Sequence, residues 1–256
     1  MSELENNSTS VAEPAPAEPT MDPAVLEEMV KAGVLYGRKK SKTHPRMRPF
    51  IFATRNNMEI IDLPKTFELL EKAGEFLKEV AAKGGLFMVV GTQPAAQSLV
   101  EEFAKKLSLA FVTKRWLGGT LTNFKTLRKR TEYYTKLKSD LEGGRLEKYT
   151  KKERTMFAKE VERMDQFFRG MEILNRLPDA VIVVNANEHH TAVREAKKMK
   201  IPVVAIVSTD TDPELVSYPV PANDNAQTSI AWILEKFSAK IGEGLKTVPV
   251  AAEIKK

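Results

Sequence analysis

The hydrophobic positions of the chain follow three spacings, and each predicts a different kind of element. Short apolar runs at 86–90, 110–112, 180–184 and 201–207 have no polar face. Such runs are strands buried on both sides, the habit of a parallel sheet. Around them, apolar residues recur every three or four positions. That spacing predicts helices from Pro64 through Val80 and over 94–107, 188–200 and 225–241. An earlier helix starts at Asp22-Pro23, carries Val25, Leu26, Met29 and Val30 on one face, loosens at Gly33 and ends at Gly37. Residues 50–55 and 58–62 flank Asn56-Asn57. This predicts a hairpin, because Asn tolerates the positive φ of a tight turn. Residues 215–220 contain Pro219, which suits only an edge strand.

The third spacing is seven. Leu127, Tyr134 and Leu141 share it, and so do Phe157, Met164 and Met171 after Gly143-Gly144. Thr150 and Glu153 form a capping-box pattern at the start of the second series. Together these predict an antiparallel coiled-coil hairpin, short enough to stay docked at its base. Its root is the stretch from Arg115-Trp116-Leu117-Gly118-Gly119 to Arg130. The paired glycines permit a turn there, and Thr120 or Thr122 is the expected helix cap. Strand and helix otherwise alternate, so the chain reads as α/β: a doubly wound parallel sheet with an inserted α-helical coiled-coil hairpin. The division is a disordered acidic extension (1–20), an α/β body (21–112 and 178–245), a hinge and hairpin arm (113–177) and a flexible tail (246–256).

Charge sharpens this picture. The net charge of the 256 residues is +6, but it is not spread evenly. Residues 1–30 hold seven acids and no Lys or Arg, while 31–55 hold eight Lys or Arg and no acid. Residues 113–154 hold thirteen basic residues against five acidic ones. Basic charge confined to two segments is the footprint of a polyanion-binding surface. Candidate contacts are Arg38, Lys39, Lys40, Lys42, His44, Arg46 and Arg48 in a basic loop, and Arg115, Trp116, Lys125, Arg128, Lys129 and Arg130 at the root of the arm. Trp116 has two readings, stacking on a base or packing on apolar neighbours, and packing is favoured by Phe111 and Leu117. Basic loops beside a helical hairpin suit structured RNA, which is recognised by phosphates and shape. No helix-turn-helix or zinc finger is present to read DNA.

Other chemistry finds less support. The chain has no cysteine, which excludes disulfides and thiolate chemistry and suits a reducing cytoplasm. There is no apolar run of membrane-spanning length and no signal-peptide pattern. The strand ends carry Gly91-Thr92-Gln93, Asn185-Ala186-Asn187-Glu188 and Ser208 to Asp212, where this kind of sheet places ligands. A nucleotide- or flavin-dependent enzyme is therefore the rival reading. Neither a phosphate-binding glycine loop of the P-loop type nor a dinucleotide fingerprint accompanies those ends. His189-His190 point to different helix faces and do not chelate one metal. Asp210 and Asp212 could bind a hard cation but read better as turn and capping residues before Pro213, and no nucleophile–base arrangement stands out. No metal, catalytic residue or cofactor is therefore expected.

The sequence from Arg115 to Phe124, RWLGGTLTNF, resembles the signature of the bacterial ribosomal protein S2 family. Arg55 to Leu63, Leu177-Pro178-Asp179-Ala180, Ile201 to Val207, Asp212 to Val216 and Pro221 to Ala226 resemble further blocks of that family, in order. The resemblance implies a flavodoxin-like sheet with an inserted hairpin. It implies a non-enzymatic, cytoplasmic, ribosome-bound component of the small subunit, without membrane or DNA partners. Its expected partners are 16S ribosomal RNA and other small-subunit proteins, including the large messenger-binding first protein that it helps to dock. Two features depart from the pattern. Leu35-Tyr36-Gly37-Arg38 stands where many members have His-Phe-Gly-His, so no role of those histidines, metal binding included, carries over. The acidic extension of 1–20 is not part of the common pattern.

Overall fold

The computed structural model describes residues 22–146 and 148–247. The disorder expected of 1–20, and the tail beyond residue 247, lie outside the described residues. The chain runs α1 (Pro23–Ala32), β1 (Tyr36–Lys39), β2 (Ile51–Arg55), β3 (Met58–Ile61), α2 (Leu63–Ala82), β4 (Phe87–Val90), α3 (Pro94–Leu107) and β5 (Ala110–Val112). It continues through α4 (Phe124–Glu142), α5 (Lys151–Phe168), β6 (Ala180–Val184), α6 (His190–Lys198), β7 (Val203–Val207), β8 (Tyr218–Pro221) and α7 (Gln227–Lys246).

Five parallel strands form the central sheet in the order β5-β4-β6-β7-β8. Counted along the chain this is 2-1-3-4-5, the flavodoxin-like doubly wound order. Alternate residues of each strand face opposite ways, so the sheet feeds two cores. Val89, Ile182, Val204 and Ile206 pack with Leu70, Leu77, Val100, Ile233 and Phe237 of α2, α3 and α7. Met88, Val90, Val183 and Ala205 pack on the other face with Val193 of α6 and with Tyr134, Phe168 and Met171 at the base of the arm. A separate antiparallel sheet, β1-β3-β2, lies beside this body. Its turn is Asn56-Asn57, with φ of 48° and 60°, as the sequence predicts. No helix among the described residues is long and apolar enough to cross a membrane.

Helices α4 and α5 form the inserted hairpin. Its buried helical side chains lie along the seam: Thr131, Tyr134 and Leu137 on α4 and Phe168 on α5. The Tyr134 hydroxyl donates to Asp165 Oδ1 at 2.6 Å, and the ring lies 6.3 Å from that of Phe168. Gly170 then meets the body so closely that a Cβ would collide with the Phe111 carbonyl oxygen. The capping box at Thr150 and Glu153 is formed.

Four sequence expectations change in detail. Gly33, at φ 73°, already ends α1, because its amide caps the carbonyls of Met29 and Val30. The basic segment after it is not a free loop. It opens with β1, which pairs with β3, and continues through 3-10 turns over Lys40–Lys42 and Pro45–Phe50. Neither Thr120 nor Thr122 caps α4. Asn123 occupies the cap position without a side-chain bond, while Thr120 Oγ1 donates to the Leu117 carbonyl and Thr122 Oγ1 turns to Glu195. Met171 lies in a 3-10 turn beyond α5 and is buried in the body, so the second seam ends one turn early.

Candidate nucleic-acid interface

The basic segment is strapped across the carboxyl end of β7. Thr209 holds it at two points: its Oγ1 accepts from the Arg38 amide at 2.8 Å, and its carbonyl accepts from the His44 amide at 2.8 Å. Met47 is fully buried and packs into the second core. Two of the candidate cations are paired with acids of the body, Arg38 half-buried and Arg46 at the surface. Arg38 Nη2 donates to buried Asp224 at 2.8 Å, and its Nε lies 3.6 Å from Asp210. Arg46 Nη1 reaches Asp212 at 2.7 Å and Glu214 at 3.0 Å. Burial pushes the Asp224 carboxyl up to about 7; Arg38 draws it down and Asp210 raises it further. His44 is also occupied: its Nδ1 accepts from the Arg46 amide at 3.3 Å and caps the second turn.

Lys39, Lys40, Lys42 and Arg48 are different. All four are exposed, and none makes an ion pair with a described residue. The strap therefore divides its charge: two arginines tie it to the body, and four cations face outward.

The root of the arm is built around one carboxylate that sequence reasoning did not single out. Glu195 of α6 is only 8% exposed. Its Oε1 accepts from the Gly119 amide at 2.8 Å and the Trp116 indole at 3.1 Å. Its Oε2 accepts from the amides of Leu121 (3.0 Å) and Thr122 (3.2 Å) and from the Thr122 hydroxyl (3.1 Å). Gly119 adopts φ 91°, the left-handed turn that aims successive amides at one point. Burial pushes the Glu195 carboxyl up, but donation from Gly119, Trp116, Thr122 and Leu121 outweighs it and holds the group below its usual range. Trp116 therefore serves the hinge: it is half-buried, bonded to Glu195 and packed beside the second core.

Of the remaining arm candidates, Arg128 is paired with Glu132 at 2.9 Å and also donates to the Asn175 carbonyl. Arg115, Lys125, Lys129 and Arg130 are exposed and make no ion pair with a described residue. Nothing in the sequence marks Glu195 as buried, since its neighbours Arg194, Lys197 and Lys198 read as a solvated face. The one available signal is that Thr120 and Thr122 follow a glycine pair whose free amides need an acceptor.

At the switch point between β4 and β6, where flavodoxin-like sheets hold ligands, the chain places its own histidine. His189 is 3% exposed. Its Nδ1 lies 2.9 Å from the Asn185 carbonyl, so that nitrogen carries the proton, and Nε2 accepts from the Thr92 amide at 3.2 Å. Burial keeps the ring below the usual histidine range, hence neutral. Thr92 also donates from Oγ1 to Glu188 at 3.3 Å. Thr92, Asn185, Glu188 and His189 thus bond to one another at this strand end, while the neighbouring Gln93 Oε1 is buried without a partner.

With the geometry established, comparison with known proteins places the chain. The family model described as Ribosomal protein S2 matches residues 29–244. The small ribosomal subunit protein uS2 of Coprothermobacter proteolyticus is 41% identical over 219 residues, covering 86% of this chain and 82% of that protein. Its counterpart in Dictyoglomus thermophilum is 41% identical over 220 residues, covering 86% and 89%. That of Thermus thermophilus is 40% identical over 211 residues, covering 82% of each.

Proposed function

The chain belongs to the ribosomal protein S2 family, and on that premise we propose that it is a structural component of the small ribosomal subunit that serves translation by holding 16S ribosomal RNA. The observation that carries this reading is the pairing of family membership with two exposed cationic patches. One is Lys39, Lys40, Lys42 and Arg48 on the strap, and the other is Arg115, Lys125, Lys129 and Arg130 at the root of the arm. Long cationic side chains held on a rigid body neutralise phosphates and release counterions, which gives affinity without base reading. Arg38, His44, Arg46, Trp116 and Arg128 belong to the same interface in another capacity. They fix the strap and the hinge, and so set where the outward cations stand.

The role is non-enzymatic in this reading. Its support is the neutral, buried His189 that occupies the ligand position of the fold. Docking of the large messenger-binding first protein belongs to the same proposal. Tyr36 at 52% and Phe52 at 77% exposure, both on the three-stranded sheet, offer apolar anchors for a protein neighbour. The expected location is the cytoplasmic ribosome.

Sucrose-gradient fractionation tests this. The protein should migrate with small subunits at physiological salt and leave them only at high salt, because phosphate contacts weaken steeply as salt rises. Migration as a free chain at both salts overturns the proposal.

A further inference from the structure

Two grooves on the arm differ in charge, one between α4 and the segment after α5 and one between α4 and α5. The first, about 420 Å³, is lined by Arg128 and Lys136 but also by Glu132 and Glu172, and Arg128 is consumed by Glu132 and the Asn175 carbonyl. The second, about 580 Å³, is built by two stripes at helical spacing: Lys129, Arg130 and Tyr133 from α4, and Arg163, Met164 and Phe167 from α5. Its three cations are exposed and make no ion pair with a described residue. One carboxylate, Glu160, also lines it, and burial together with that neighbouring charge pushes the Tyr133 hydroxyl above its usual range.

The floor of this second groove is apolar and its rim is cationic. Tyr133 is 48% exposed and shares this lining with Met164 and Phe167, which are only partly covered. The cations come from both helices, so they bracket the ring rather than lining one side. The volume falls in the range of ligand clefts, and the groove is open to solvent along one side. Lys125, one turn before Lys129, continues the cationic rim toward Arg115 at the root of the arm. A ring platform bracketed by cations is the arrangement by which proteins hold an unstacked nucleotide.

We propose that this groove receives a single unpaired RNA nucleotide, its base against Tyr133 and Phe167 and its flanking phosphates on Lys129, Arg130 and Arg163. The inference rests on the RNA-binding reading above and deepens it, since it assigns unpaired rather than helical RNA to the arm. Arg163 and Tyr133 join the interface by this argument.

The test uses the full-length chain with a fluorescent short oligoadenylate and with a blunt RNA duplex, followed by anisotropy over a range of salt. Tyr133→Ala should weaken oligoadenylate binding about tenfold and change duplex binding less than about twofold. Tyr133→Phe should restore it, because the ring and not the hydroxyl does the stacking. Arg163→Gln should weaken oligoadenylate and flatten its salt slope by about one phosphate. Lys136→Gln in the first groove should do neither. The three substituted side chains are exposed, so the melting temperature should stay constant across the series. Oligoadenylate affinity unchanged in Tyr133→Ala overturns the inference, and so does an equal loss on the duplex. Displacement of oligoadenylate by a short polyglutamate of higher affinity would assign the groove to an acidic protein and also overturn it. Failure of the broader reading is seen elsewhere, as a chain that does not migrate with small subunits. A chain that does so migrate, but whose oligoadenylate binding ignores Tyr133, defeats the groove alone.

Discussion

Replacing Glu195 by Ala should loosen the whole root of the arm. The carboxylate accepts five donors from Trp116 to Thr122, three of them backbone amides. A hydrogen bond to a charged group stabilises by about 1.5–3 kcal/mol, but bonds sharing one acceptor do not add. The Gly119 and Thr122 amides lie near the surface and can find water, whereas Leu121 is buried at 1% exposure and its amide cannot. Leaving the buried Leu121 amide and the half-buried Trp116 indole without an acceptor costs about 1–3 kcal/mol each, roughly 3–5 kcal/mol together. At about 2–4 °C per kcal/mol for a chain of this size, the melting temperature should fall by roughly 6–20 °C. Glu195→Gln should fall between, since it keeps one acceptor oxygen and turns an amide group toward other donors. The pH dependence has a definite sign. The folded carboxyl titrates below its usual 4.5, so its stabilisation is complete above that value and is lost as pH falls through the lower folded value. The gap between the parent and the Ala variant should therefore be constant from pH 6 to 8 and close only in acid. Melting curves give the first number, and amide exchange at Gly119, Leu121 and Thr122 gives the second. A variant melting within about 1 °C of the parent, with those amides still protected, would refute the reasoning.

Further expectations follow from the strap, the arm base and the two buried titratable groups. Neutralising Lys39, Lys40 and Lys42 together should weaken RNA binding and lower the slope of log affinity against log salt, by about one for each phosphate no longer neutralised; an unchanged slope removes the strap from the interface. Gly170→Ala should destabilise the chain and release the arm base, because the new methyl meets the backbone oxygen of Phe111, read as faster proteolysis after Arg169 and Lys114. Asp224 ionises near 7 in the folded chain, above the usual carboxylate range, so the parent loses stability as pH rises through about 7; Asp224→Asn should lack that decline in melting scans from pH 5 to 8. His189 has the opposite sign. Its folded value lies below 6.5, so stability is complete above 6.5 and falls as pH drops, and His189→Gln should flatten that limb.

Much of the body was readable because its signals are local. A strand buried on both faces must be apolar throughout, and the runs around Val89, Ile182 and Ala205 are. Caps and turns at Asn56-Asn57 and Thr150 need only neighbouring residues, and they formed as read. What escaped was long-range. Glu195 meets Gly119 across 76 positions, and Arg38 meets Asp224 across 186. A sequence pattern reports charge but not the partner that neutralises it. The strap therefore read as a loop with every cation free, while Arg38 and Arg46 in fact pair with acids at the ends of the central sheet. Trp116 was readable in the other direction: its apolar neighbours already favoured packing, and the hinge carboxylate supplied the polar partner its indole needs.

The strand ends explain how one fold serves a different purpose here. In a doubly wound sheet the carboxyl ends converge on a crevice whose backbone groups need partners, and a ligand usually supplies them. In this chain side chains supply them. His189 and Glu188 satisfy Thr92 at the switch point, while Thr209, Asp210, Asp212 and Asp224 hold the basic strap. The acids matter twice. They neutralise the two arginines that would otherwise repel Lys39, Lys40 and Lys42, and they fix the strap so that those lysines face outward. Arg38→Gln therefore separates anchoring from contact, since Arg38 touches the body and not the solvent-facing surface. If it positions the strap, the variant should weaken RNA binding while leaving the salt slope nearly unchanged, because no outward cation has been removed. A slope lowered by about one would instead make Arg38 a phosphate ligand and detach it from its anchoring role.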